Sequence, residues 1–194
     1  MKFLNAIFFE YNDLNLFILL IYDYKANTNK IFLKEIKFFN EREMLNKYIK
    51  QKKLTFGKLN ENEKKIIKNL NELFEDYFSG KKIDLINKIN ENRIEILIDN
   101  IYKTEFSRKV IKYLINNIKY GKLATYSEIG TQIGSKAYRA IGNTLRNNPL
   151  PLIIPCHRII RKDGSLGGFM GEVNDKTWQA NLKLMFLRIE GVLI

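Results

Sequence analysis

The only cysteine and the only histidine of the 194-residue chain are neighbours, Cys156 and His157. All three prolines, Pro149, Pro151 and Pro155, fall in the short stretch leading up to them. An imidazole next to a thiol can draw off its proton and leave a thiolate, the reactive form of cysteine. Prolines on either side of an apolar run restrict the backbone around that pair, as positioning a nucleophile requires. A lone cysteine is more often a small core hydrophobe, and its only histidine being adjacent weakens that reading. In extended backbone, adjacent side chains point to opposite sides, so the pair predicts a turn or a bridging water between thiol and imidazole. The same counts exclude other chemistry. One cysteine forms no internal disulfide, and one Cys with one His cannot build a four-ligand structural zinc site.

The elements that must hold this pair fall into two textures. Residues 3–9, 16–24 and 31–39 are aromatic and β-branched runs separated by Asn- and Asp-containing turns, which predicts an antiparallel meander. Residues 41–51 and 61–78 have helical spacing; in the second, Ile66, Ile67, Leu70, Leu73, Phe74 and Tyr77 form an apolar stripe ended by Ser79-Gly80. Residues 94–98 read as a further strand, and a boundary is placed near 99–104. Beyond it, 106–118 is amphipathic. Thr125-Tyr126-Ser127-Glu128 fits a capping box opening a short helix over 127–133, and Gly134 separates it from a helix over 136–146. Helix, glycine turn, helix is a DNA-binding pattern, though ordinary cores use it too.

Charge divides the same way. The chain carries 33 Lys and Arg against 21 Asp and Glu; residues 1–98 hold 18 and 14 of these, residues 99–194 hold 15 and 7. The excess of +8 in the second part points to a polyanionic partner. The longest apolar stretch near the N-terminus, 16–21, is far shorter than the roughly 18 residues a membrane span needs. No secretory signal is visible, so a cytoplasmic protein without a membrane partner is expected.

The ordered run Asn148-Pro149 … Pro155-Cys156-His157-Arg158 resembles the active-site signature of the O6-alkylguanine-DNA alkyltransferases (methylated-DNA–protein-cysteine methyltransferases). The likeness extends from Thr104-Glu105-Phe106 to Leu187-Arg188-Ile189-Glu190-Gly191, roughly the C-terminal half. It implies an α+β fold: over 1–98, a small ribonuclease H-like antiparallel sheet with helices as an accessory domain; over 99–194, a mainly helical DNA-binding and alkyl-transfer domain with a winged-helix-like helix-turn-helix. The activity it implies is single-turnover repair, in which a monomer binds double-stranded DNA from the minor groove, flips out O6-alkylguanine and transfers the alkyl group irreversibly to Cys156. No cofactor and no metal are implied.

Residue by residue, the resemblance makes His157 the base acting through water and Glu190 its orienting partner, although a glutamate so near a C-terminus is commonly solvated. Tyr126 resembles the tyrosine that donates a hydrogen bond to the purine and helps turn the phosphate; its plainer role is packing at a helix start. Arg139 resembles the finger that fills the emptied stack, or is one more charge on a solvated face. Ala137, Ala140 and Gly142 keep that helix slim, and Arg146 closes its DNA-binding set. Asn148 resembles the tie between recognition helix and active-site loop, and Asn-Pro is also an ordinary turn opener. Pro155 and Arg158 complete the frame, while Phe169, Met170 and Gly171 resemble the loop that closes over guanine. Two departures stand out: Met170 replaces a serine of vertebrate-type members, and residues 172–182 are longer than the family's usual segment. A lesion sensor without alkyl transfer is the nearest alternative, and Cys156 argues against it. A basic helix-turn-helix protein is the other, and it leaves the Pro-Cys-His-Arg context unexplained.

Overall fold

The computed structural model describes residues 5–54 and 56–192; Phe3 and Leu4 of the first expected strand lie outside them. Strands β1 (Asn5–Tyr11), β2 (Leu16–Lys25) and β3 (Lys30–Phe39) form the expected antiparallel meander. Turns carrying left-handed Asn15 and Asn29 join them, a conformation asparagine tolerates better than most residues. Central β2 is buried continuously from Leu16 to Tyr22 instead of alternating, because both its faces are covered. Phe17 and Leu19 pack with Leu45 of helix α1 (Arg42–Lys52), while the Tyr22 hydroxyl donates to Glu63 of α2 (Glu61–Phe78) at 2.9 Å.

The expected strand over 94–98 is shorter than its apolar run. β4 is only Ile94–Glu95, paired parallel to β3, and Ile98 instead opens a short helix, α4 (Ile98–Ile101). The seven-residue helix α3 (Leu85–Glu91) is an addition to the sequence reading. The result is an α+β fold with a small, mainly antiparallel sheet.

The chain forms two compact units. One comprises Met1–Glu75 with Asn87–Leu97, the other Asp76–Ile86 with Ile98–Ile194. A single cut between residues 98 and 99 therefore does not describe the division, because the end of α2 and the segment after it belong with the second unit.

In that second unit α5 (Glu105–Asn117) starts at a Thr104 cap, whose hydroxyl accepts from the Ser107 amide. α6 (Tyr126–Gln132) starts with the capping box its sequence predicts, Thr125 and Glu128 bonding each other's backbone amides. After Gly134, α7 (Tyr138–Arg146) begins two residues later than its apolar spacing suggested, since Ala137 is its N-cap and leaves the helical region. Strand β5 (Ala124–Thr125) pairs parallel to β6 (Ile159–Ile160), which sets the start of α6 beside the chain just after Cys156. The last helix, α8 (Trp178–Ile189), buries Lys183, Phe186 and Leu187. No helix among the described residues is long and apolar enough to cross a membrane.

Candidate active site

Cys156, His157 and Arg158 form one turn of 3-10 helix, so the pair sits in a turn, one of the two arrangements its adjacency allowed. The frame before it is tight. Leu152, directly after Pro151, is left-handed at φ 75° yet almost wholly buried, so packing holds an uncommon conformation for a branched side chain. Asn148 ties the end of α7 to this turn: its amide nitrogen donates to the Ile154 carbonyl and to Cys156 Sγ, both at 3.1 Å. Its carbonyl oxygen accepts from the Leu150 amide and from the Tyr102 hydroxyl. Burial pushes the Cys156 thiol above its ordinary pKa, against the pull of the Asn148 hydrogen bond and the nearby Lys183 charge.

On one side of the turn lies a buried carboxylate. Glu190, only 5% exposed, accepts from His157 Nε2 at 2.8 Å, from the Tyr77 hydroxyl at 2.8 Å, and from Arg158 Nε and Nη2, both at 2.9 Å. The Gly121 amide is a further donor, at 3.1 Å. Gly121 has φ 71°, and a Cβ there would come within 3.1 Å of the Glu190 carbonyl, so glycine suits the approach. Burial alone would raise the Glu190 carboxyl; His157 and Arg158 outweigh it and hold the group well below the carboxylate range. Burial holds His157 below its ordinary pKa despite the carboxylate, so the imidazole is neutral at neutral pH.

The tautomer follows. An ionised carboxylate only accepts, so Nε2 carries the proton and Nδ1 keeps its lone pair. Nδ1 is buried and has no hydrogen-bond partner among the described residues. Phe186 meets the His157 ring edge-on at 5.5 Å between centroids and fixes its plane.

On the other side a cavity of about 510 Å³ opens onto Cys156. It is lined by Tyr126, Arg139, Gly142 and Arg146 from α6 and α7, and by Phe169, Met170 and Gly171 from the loop before α8. Burial, and then the proximity of Cys156, raise the Tyr126 hydroxyl. Phe169 and Glu172 exchange both backbone hydrogen bonds, at 2.8 and 3.0 Å, around Met170 (φ 50°) and Gly171 (φ 92°). Two positive φ angles between such a pair make a type I′ turn.

The sequence-predicted residues thus divide. Cys156, Tyr126, Arg139, Gly142, Arg146, Phe169, Met170 and Gly171 share the cavity. His157, Arg158 and Glu190 share the carboxylate cluster. Asn148 and Pro155 frame the turn, while Ala140 on α7 and Ala137 at its N-cap lie outside the cavity lining. Arg158 serves the carboxylate rather than the cavity, and its Nη1 also donates to the Ile118 carbonyl at 2.8 Å.

Three participants escaped the sequence reading. Tyr77 was legible only as part of an apolar stripe, Tyr102 carried no signal, and Lys183 is a fully buried lysine between Leu182 and Leu184. Lys183 donates to the Ile159 and Leu166 carbonyls, joining the chain after Cys156 to the cavity loop, and burial pushes its pKa down to about 8. Among the described residues no cluster of His, Cys, Asp or Glu is arranged to hold a metal ion.

The chain is similar to proteins already known. Residues 105–192 match the DNA-binding domain of 6-O-methylguanine DNA methyltransferase. The chain is 36% identical over 126 residues to the methylated-DNA–protein-cysteine methyltransferase of Methanosarcina barkeri, covering 64% of this chain and 73% of that one. It is 42% identical over 67 residues to the rat protein of the same name, where the match spans 34% of this chain and about a third (32%) of the relative's length. The crystal structure of O6-methylguanine-DNA methyltransferase from Pyrococcus kodakaraensis shares the fold, with a TM-score of 0.64 at 21% identity over 97% of this chain and 99% of that one. With a buried Cys-His-Glu constellation and 36% identity over an alignment that spans 73% of the Methanosarcina barkeri relative, the chain belongs to the methylated-DNA–protein-cysteine methyltransferase family.

Proposed function

We propose that the protein repairs DNA by taking the alkyl group of O6-alkylguanine onto Cys156, once per molecule. The observation that carries this reading is His157, neutral, held through Nε2 by a buried carboxylate, with its Nδ1 lone pair unpartnered beside the thiol turn. In the proposed step His157 takes the thiol proton through a bridging water, and Glu190 stabilises the imidazolium that forms. The Cys156 sulfur then attacks the alkyl carbon; an S–C bond forms, the O6–C bond breaks, and its electron pair stays on the guanine. Tyr126, in the cavity wall, donates a hydrogen bond to the purine as that charge develops, and the departing base regains a proton. A thioether has no easy route back to thiol, so the protein is consumed.

The cavity is roomy enough for a purine turned out of the helix, and Arg139 and Arg146 stand exposed beside it. A flipped base loses its stacking, at a few kcal/mol, and Arg139 entering the gap would offset part of that loss. On this reading α6 and α7 are a winged-helix-like helix-turn-helix lying in the minor groove of double-stranded DNA. Ala137, Ala140 and Gly142 keep its second helix slim, and Asn148 couples that helix to the thiol. The first compact unit is a ribonuclease H-like accessory domain, and the protein acts as a monomer in the reducing cytoplasm, where its thiol survives. No cofactor enters the step.

Intact-mass analysis tests the reading. Mixed with a duplex carrying O6-methylguanine, the protein gains the mass of one methyl group, which peptide mapping locates at Cys156 and which Cys156→Ala lacks. Tight binding to the lesion with no gain in mass would instead make the protein a lesion sensor.

A further inference from the structure

Among the described residues Tyr138 and Val173 are two of the few large apolar side chains that stand out into solvent, 44% and 66% exposed, and both line the cavity that opens onto Cys156. They come from different elements. Tyr138 is the first residue of α7, and Val173 follows the Met170–Gly171 turn, packing over Gly168, where a Cβ would lie 3.3 Å from its Cγ1. Single exposed apolar residues need no explanation, whereas two on the rim of one cavity beside three arginines form a surface with a definite chemistry.

The Tyr138 ring is also held in place. A Cβ at buried Gly130 would sit 2.6 Å from its Cε1, so the backbone of α6 lies directly against the ring edge, with room only because residue 130 is glycine. The α7 face it occupies continues along the cavity through Gly142, Leu145 and Arg146, and Arg139 is its sequence neighbour. A fixed, half-exposed aromatic ring beside the arginines of a strongly basic chain is suited to a flat, apolar face attached to a polyanion. A nucleobase in a DNA strand is such a group, and bases stack on aromatic side chains with little regard to sequence.

We propose that Tyr138 is a further DNA-binding residue, its ring stacking on a nucleobase of the duplex at the cavity mouth while the lesion is turned in. The inference rests on the repair reading above and adds to it a contact to a base other than the alkylated one. It assigns Tyr138 to holding the opened duplex, and leaves bond making at Cys156 to the groups already described.

The test compares two single-turnover rates, transfer from an O6-methylguanine duplex and transfer from free O6-benzylguanine base, in wild type and in Tyr138→Ala, Tyr138→Phe and Tyr138→Leu. A base–aromatic stack removed by alanine lowers the ratio of duplex to free-base rate by about tenfold. Phenylalanine restores the ratio, and leucine, apolar but not flat, restores little of it. The proposal is overturned if alanine leaves the ratio unchanged, if both rates fall together as a disturbed fold would make them, or if leucine serves as well as phenylalanine. A wild-type protein that takes alkyl groups while the Tyr138→Ala ratio stays put refutes this inference alone. One that takes none refutes the repair reading and this inference with it.

Discussion

Behind Cys156 five hydrogen bonds converge on the Glu190 carboxylate, and His157, Arg158, Tyr77 and Glu190 are all buried. In front of it lies an open cavity whose arginines are solvated and whose loop contains a residue in an unfavourable backbone conformation. The contrast separates two tasks. A group that must keep one tautomer is best held by a buried hydrogen-bond network, in which each partner fixes the others. A surface that must admit a large, rigid substrate has to remain incompletely satisfied until the substrate arrives. Substitutions behind the thiol should therefore register mainly as lost stability, and substitutions in front of it mainly as lost rate.

The largest effect is expected behind. Glu190→Ala strands a buried arginine charge together with His157 and Tyr77, and loss of one partner from such a group costs about 3–5 kcal/mol. Denaturant unfolding measures it, and a loss under 1 kcal/mol would mean that the cluster does not hold the fold. In front, Arg139→Ala should leave stability within about 0.5 kcal/mol of wild type while slowing transfer from duplex on the order of tenfold, in line with a flipping penalty of a few kcal/mol. A stability loss as large as that of Glu190→Ala would erase the distinction between the two sides.

Acid probes the rear cluster without mutation. His157 is held neutral below its ordinary value of 6.5, and Glu190 ionised below its ordinary 4.5. The unfolded chain therefore binds more protons than the folded one, at His157 below about pH 6.5 and at Glu190 below about pH 4.5, so stability falls with acid in both windows. Unfolding free energy measured from pH 8 to pH 4 should decline from about 6.5 downward, and His157→Asn should flatten the first part of the decline. A decline of equal slope in that variant assigns it to other groups. The smallest effect is at the cavity loop. Met170→Asn, a residue type that tolerates the left-handed turn, should raise stability by about 0.5–1 kcal/mol. No gain would show that packing of the methionine side chain offsets the strain.

The contrast also governs what the sequence displayed. Short-range chemistry was legible: the three meander strands, the bounds of α2 and the capping box of α6 follow from local spacing, and a turn at Cys156-His157 was one of the two arrangements their adjacency offered. Glu190 was legible through its resemblance and its place before Gly191, though nothing local revealed that it is buried. Tyr77 was hidden because its ring satisfies an apolar stripe while its hydroxyl answers to a residue 113 positions away. Lys183 was hidden because one lysine in an apolar helix looks like a solvated interruption, and only the tertiary fold supplies the carbonyls that hold it. The over-long strand at 94–98 has the same origin: its apolar residues fit a sheet locally, yet only Ile94 and its neighbour Glu95 pair with another strand.

Stoichiometry tests the central claim most directly. With an O6-methylguanine duplex in large excess and the methyl group labelled, transferred label should rise to one methyl per protein molecule and stop there, all of it on Cys156. Label that keeps accumulating beyond one equivalent, or that settles on another residue, would contradict a single-use cysteine acceptor.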